Sequence, residues 1–193
     1  MTSKINNNYL ERHARQMGIM SRDQLLEIRG MPVAIGGLGL GGSVFINLVR
    51  LGFERFHIAD PDIYERSNIG RQRAAKETTV GRRKDEALIE EARAINPDLK
   101  VVTFPDGVQE TNVDRFLKGV RIVVDAVDVF AIPEKIALHE AARAKGLLTV
   151  TCSTAGFGAS VVVFDAKSPS FVELSGLSKT AEYAQNMDRW VKF

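Results

Sequence analysis

Six short apolar runs rich in β-branched residues, "VAIGG", "RFHIAD", "KVVTF", "RIVVDA", "LLTVTC" and "ASVVVF", recur along the chain, separated for the most part by segments of helical character. Runs of this length read as buried strands. Strands that alternate with helices pair in parallel and have both sheet faces covered by the crossovers. The expected fold is therefore α/β: a doubly wound, mainly parallel sheet of Rossmann-like form, preceded by an N-terminal helical arm. The chain has 193 residues, of which 45% are hydrophobic and 26% charged, which is about one domain with enough apolar surface to bury a core.

Local signals set the helices between these runs. Ser21 and Gln24 have capping-box spacing, with Gly30 placed to stop the helix. In "RRKDEALIEEARAINP", Leu88, Ala92 and Ile95 share one face, and Pro97 ends the segment. "PEKIALHEAARAKG" opens on Pro133 and Glu134 and closes on Lys145 and Gly146, as helix polarity prefers.

The turn "GGLGLGG" follows the first run directly and opens a helix-like segment, where such sheets place a phosphate-binding turn. Two glycine registers are open. Gly37, Gly39 and Gly42 spell the dinucleotide fingerprint, with Asp60 near the expected distance; Gly36, Gly39 and Gly41 spell another spacing. Two later runs end in acidic pairs, Asp60 with Asp62 and Asp125 with Asp128, at the carboxyl ends of strands where ligands bind. A long polar connection between them carries Asn68, Arg71, Gln72 and Lys84. A redox dinucleotide gives no reason for a second carboxylate and several cations beside a phosphate turn. A nucleoside triphosphate does, because its phosphates take Arg and Lys donors and its magnesium takes a carboxylate such as Asp128.

Composition removes other chemistries. Cys152 is the only cysteine, so an internal disulfide and a multi-cysteine zinc site are excluded. No apolar window has the length of a membrane span and the N-terminus has no signal-peptide core, so a cytoplasmic location is expected. Cys152, at the end of a presumed buried strand, is expected to be an inert core thiol. His57 and His139 are expected in packing or surface roles, and Asp125 in a structural one.

Six motifs fall in order over residues 9 to 165: "RHARQ" (12–16), the glycine turn, "DPD" (60–62), "SNIGRQ" (67–72), "VGRRK" (80–84) and "DAVD" (125–128). Together they resemble the ThiF/MoeB/HesA superfamily, whose members adenylate the C-terminal carboxylate of ubiquitin-like proteins. The resemblance implies an ATP- and Mg2+-dependent adenylation domain over 31–166, with an N-terminal helical arm over 1–30 and a C-terminal segment over 167–193, which is expected to be truncated because it stops on apolar Trp190, Val191 and Phe193. It selects the register of Gly36, Gly39 and Gly41 at the nucleotide, with Asp60 on the ribose and Asp62 beside it. Asp128 would hold magnesium, and Asn68, Arg71 and Lys84 would neutralise the triphosphate. Arg12 would come from the partner subunit of a homodimer. The acceptor would be the C-terminus of a ubiquitin-like or sulfur-carrier protein, or a carboxylate on a modified tRNA. An NAD-dependent oxidoreductase and a non-catalytic nucleotide-binding scaffold are the alternatives. Three departures stand out: Leu38 replaces a glycine common in the family, no C-x-x-C pair is present, and no cysteine follows Cys152.

Overall fold

The computed structural model describes residues 8–155 and 157–176. All six runs form strands: β1 (Pro32–Gly36), β2 (Arg55–Ala59), β3 (Lys100–Phe104), β4 (Ile122–Asp125), β5 (Leu148–Ala155) and β6 (Gly158–Phe164). They make one sheet in the order β3-β2-β1-β4-β5-β6. The first five pair in parallel, whereas β5 and β6 form an antiparallel hairpin. No helix separates those two strands, so the chain has only a tight turn in which to reverse. The chain order reverses between β1 and β4, which opens a crevice at the carboxyl ends of these strands.

The helices are α1 (Arg22–Gly30), α2 (Gly41–Leu51), α3 (Lys84–Ile95), α4 (Val113–Phe116), α5 (Ile132–Ala144) and α6 (Phe171–Ser175). The side-chain alternation of the strands feeds two cores. Val33, Ile35, Phe56 and Ile58 pack with Phe45, Ile46, Val49, Leu88 and Ala92 on the face covered by α2 and α3. Ala34, Val123, Phe104, Phe116, Leu138 and Ala142 fill the opposite face under α4 and α5. The sheet is thus doubly wound, with period-two burial turned into two layers of helices.

Both bonds of the Ser21 capping box form, at 2.8 Å and 3.2 Å. Gly30 is the last residue of α1 rather than a stop beyond it. Residues 8–12 are helical, and buried Tyr9 fastens this arm with its hydroxyl 2.7 Å from the Leu25 carbonyl. Burial pushes the Tyr9 phenol up to about 12. Gln16 donates to the Arg50 carbonyl at 3.0 Å, a second tie between arm and domain. The segment expected over 167–193 is described to Gly176; its apolar end at Trp190, Val191 and Phe193 lies outside the described residues.

Candidate nucleotide-binding site

The turn after β1 is shaped by backbone geometry. Gly37 has φ +81°, and a Cβ there would overlap the Ala126 carbonyl oxygen, so only glycine fits. Its amide is satisfied by Ala59, and the next amide, Leu38 N–H, donates to Asp60 Oδ2 at 2.6 Å. At Gly39 a Cβ would press on the Gln72 amide at 3.3 Å. These two glycines line the cavity. Of the three glycines in the register favoured by the family resemblance, only Gly39 does so. Gly36 is the last residue of β1, where a Cβ would crowd Val127, and Gly41 sits on Ile35 at the start of α2. At both positions a Cβ would disturb the close packing of helix and sheet. Leu38, in place of a family glycine, is fully buried in the core.

Behind this turn, at the crevice between β1 and β4, lies a cavity of about 540 Å³. This is within the range of about 300–1,000 Å³ usual for small-molecule sites. One wall belongs to β2 and the start of α3. Asp60 is buried and accepts the Leu38 and Asp62 amides. Burial pushes its carboxyl up, partly offset by the Leu38 amide and the Lys84 ammonium. Lys84 Nζ lies 2.7 Å from Asp62 Oδ2 and 3.6 Å from Asp60 Oδ1. Arg71 reaches the cavity from the long polar connection, its guanidinium held by the Ser67 carbonyl at 2.9 Å. That connection is built of turns and a short 3-10 helix at Arg66–Asn68 rather than being structureless.

The facing wall belongs to β4, β5 and the start of α5. Asp128 lines it, exposed, with Oδ1 accepting the Phe130 amide at 3.0 Å. Cys152 also lines it, half-buried, which corrects the expectation of a core thiol: β5 runs past the end of β4, so residues after Thr151 leave the sheet interior. Burial and then the Asp125 carboxylate push this thiol up, with Lys135 opposing them. Asp60, Asp62, Arg71, Lys84 and Asp128 are thus brought together. Asn68 is not among the lining residues; it is buried, with Oδ1 capping the Glu65 amide at 3.1 Å. Arg12 lies elsewhere, 3.8 Å from Asp98.

Two groups on the Asp128 wall carry chemistry that motif reading passed over. Lys135 lines the cavity, bound to Asp125 at 2.7 Å. His139 is buried, with Nε2 2.8 Å from Asp125 Oδ2 and 3.0 Å from the Thr151 hydroxyl. The available signal was the i, i+4 spacing of Lys135 and His139 on a helix that follows an acid-ended strand.

The fold and this cavity define a doubly wound α/β domain in which cations and carboxylates converge on a glycine turn. The ThiF family profile matches residues 12–189, and the chain belongs to that family. It is 31% identical to a SAMP-activating enzyme E1 of Haloferax volcanii over 152 residues, covering 76% of this chain and 55% of that protein. It is 27% identical to a tRNA threonylcarbamoyladenosine dehydratase of Haemophilus influenzae, over 91% of this chain and 64% of the other. Among solved structures it superposes on the E. coli tRNA N6-threonylcarbamoyladenosine dehydratase in complex with ATP, with TM-score 0.72 and 27% identity, over 77% of this chain and 61% of that one. The chain therefore spans somewhat more than half the length of these relatives. No helix among the described residues is long and apolar enough to cross a membrane.

Proposed function

We propose that this chain binds ATP with magnesium and adenylates a carboxylate, releasing pyrophosphate. The observation that carries this reading is the convergence of Asp60, Asp62, Arg71, Lys84 and Asp128 with Gly37 and Gly39 on one cavity at the switch point of the sheet. Asp60, with both oxygens set by backbone amides, faces the ribose position. Lys84 and Arg71 supply the charge that lets two anions, the acceptor carboxylate and the α-phosphate, approach each other. The attacking carboxylate oxygen forms a bond to phosphorus as the bond to the pyrophosphate oxygen breaks. No proton moves, so the absence of a histidine from this cavity's lining residues is no obstacle.

Asp128 fits a magnesium role. Its second oxygen makes no hydrogen bond among the described residues, and no cluster of three or more ligating side chains is found among them. One carboxylate together with substrate phosphates and water is the usual magnesium environment. When bound, the ion would neutralise phosphate charge. The dinucleotide-oxidoreductase alternative is disfavoured by family membership and by these cations.

The acceptor we favour is the C-terminus of a ubiquitin-like or sulfur-carrier protein, supported by the similarity to the archaeal E1. A tRNA-linked carboxylate is the second reading, supported by the similarity to the dehydratase. We further propose a homodimer, cytoplasmic in location, in which Arg12 acts at the phosphates from the partner subunit, while Asn68 shapes the connection that carries Arg71. Its own chain holds Arg12 away from its own cavity, at Asp98. Exchange of labelled pyrophosphate into ATP, measured with a carrier protein ending in Gly-Gly and separately with bulk tRNA, tests the reaction and separates the acceptors. No exchange with either would overturn it. Arg12→Ala and Arg71→Ala should each be inactive and regain activity on subunit mixing, because one site of a mixed dimer then has both arginines. Exchange of subunits without recovery would remove Arg12 from the site.

A further inference from the structure

Lys135 is a cavity-lining cation that the family motifs do not name. It stands in the first turn of α5, where a positive charge opposes the helix dipole, and its side chain is only 10% exposed. Its partner Asp125 is fully buried. Burying such a pair costs desolvation, and two apolar residues would serve stability as well or better. The geometry shows another use. The Lys135 ammonium donates to Asp125 Oδ1 at 2.8 Å and to the Val127 carbonyl at 3.1 Å. Asp125 Oδ1 in turn accepts the Val127 amide at 3.1 Å. Residue 127 is therefore held by both its N–H and its C=O. On one side of it the Ala126 carbonyl covers Gly37, and on the other stands Asp128. His139 and the Thr151 hydroxyl, at 2.8 Å and 2.9 Å from Asp125 Oδ2, fix the carboxylate itself.

We propose that Asp125 and Lys135 form a clamp that sets the turn at 126–128, and that Lys135 is a positioning residue holding the Asp128 carboxylate where a nucleotide-bound divalent cation needs it. The inference rests on the reading of Asp128 as the magnesium carboxylate.

The test uses the full chain with ATP as the probe, in excess magnesium and in EDTA, together with amide hydrogen exchange of the nucleotide-free protein. In Lys135→Met the magnesium needed for half-maximal enhancement of ATP binding should rise about tenfold, as it does when groups that orient metal ligands are removed. Binding in EDTA should be unchanged, and exchange at residues 126–128 should accelerate. The double variant Asp125→Asn/Lys135→Met leaves no buried charge unpaired, so it should fold if the single variant does not, and the magnesium enhancement should stay weakened. A purely structural pair would restore that enhancement together with stability. Unchanged exchange at 126–128, or a retained magnesium response in whichever variant folds, overturns the clamp. If Asp128→Ala keeps the magnesium response while Lys135→Met loses it, the assignment of Asp128 is what fails, and the positioning role falls with it. Failure of the unaltered chain to bind ATP would instead overturn the proposed function, and hydrogen exchange would then decide the clamp alone.

Discussion

On each wall of the cavity aspartate stands at or just past the carboxyl end of a strand, and a lysine from the first turn of the following helix pairs with it: Lys84 of α3 with Asp60 and Asp62, Lys135 of α5 with Asp125. The two lysines are about equally buried, with side chains 6% and 10% exposed. Their closest partners are not, although Asp60, 3.6 Å from Lys84, is itself buried. The Asp62 side chain is 62% exposed and meets Lys84 through a single close contact, whereas Asp125 is sealed and accepts from four donor groups. An incoming polyphosphate can compete with Asp62 for Lys84, because Asp62 regains water on release. No solute reaches Asp125 to make the same exchange. One lysine is thus available to a ligand and the other to the fold, although both occupy the same place in a strand–helix unit.

The largest expected effect tests the exchangeable side. Lys84→Met should lower pyrophosphate exchange by about 10³-fold, the upper end of what loss of one charge-stabilising donor costs. Its cost to folding should stay below that of Lys135→Met, because Asp62 regains water and buried Asp60, 3.6 Å from the ammonium, keeps the Leu38 and Asp62 amides as donors. Chemical denaturation of the same protein measures the second quantity. A large loss of stability would show that Lys84 is as structural as Lys135, and the contrast between the walls would disappear.

The sealed side should behave the other way in folding. Lys135→Met leaves a buried carboxylate without its cation and should cost about 3 kcal/mol of stability, while Asp62→Asn should change it by less than about 0.5 kcal/mol. Urea unfolding of both variants decides this.

The layers and the motif residues, Asp62 and Asp128 among them, were legible in the sequence, but the contrast between the two lysines was not. Six β-branched runs separated by helical segments specify the layers, since period-two burial in a parallel sheet allows few other arrangements. The motif residues Asp60, Arg71, Lys84 and Asp128 carry their chemistry in their type and order. The glycines were harder. Gly36 and Gly41 look like turn residues, yet their Cβ positions are occupied by Val127 and Ile35, which come from elsewhere in the fold. Cys152 was misplaced because strand pattern alone does not reveal where the neighbouring strand stops. Lys135 and His139 read as ordinary residues of an amphipathic helix, and only the packing of α5 against β4 joins them to Asp125.

Acid titration separates the two strand-end aspartates by sign. Burial pushes Asp60 up from its ordinary 3.8. For Asp125, burial also pushes up, but the hydrogen bond from His139 and the charge of Lys135 outweigh it and hold the carboxyl below 3.8. An acid with a lowered pKa stabilises the fold above its unfolded pKa and loses that contribution as pH falls through the folded value; one with a raised pKa weakens the fold as pH rises from the unfolded value through the folded one. Relative to the native chain, Asp125→Asn should therefore lose stability as pH rises toward 3.8 and stay level above it. Asp60→Asn should gain stability as pH rises beyond 3.8. Denaturation midpoints between acid and neutral pH give both slopes, and slopes of the same sign would mean that the walls are electrostatically alike.

The smallest effect is read at Cys152, the only thiol in the chain and a neighbour of the sealed wall. Burial and Asp125 raise its pKa while Lys135 lowers it, so the thiol reports the charge state of that pair. The thiolate is the species that reacts with iodoacetamide, and the rate below the pKa follows its fraction. Removing the Lys135 ammonium should slow alkylation at neutral pH, and Asp125→Asn should hasten it. Lys84→Met should leave it nearly unchanged, because that lysine stands on the facing wall and is paired with Asp62. Bound ATP should protect Cys152 in every variant that still binds, since the thiol lines the same cavity. Equal alkylation rates in the Lys135 and Lys84 variants would show that the ammonium of Lys135 does not reach the cavity wall. The distinction between a lysine held for the fold and one offered to the ligand would then have to rest on stability alone.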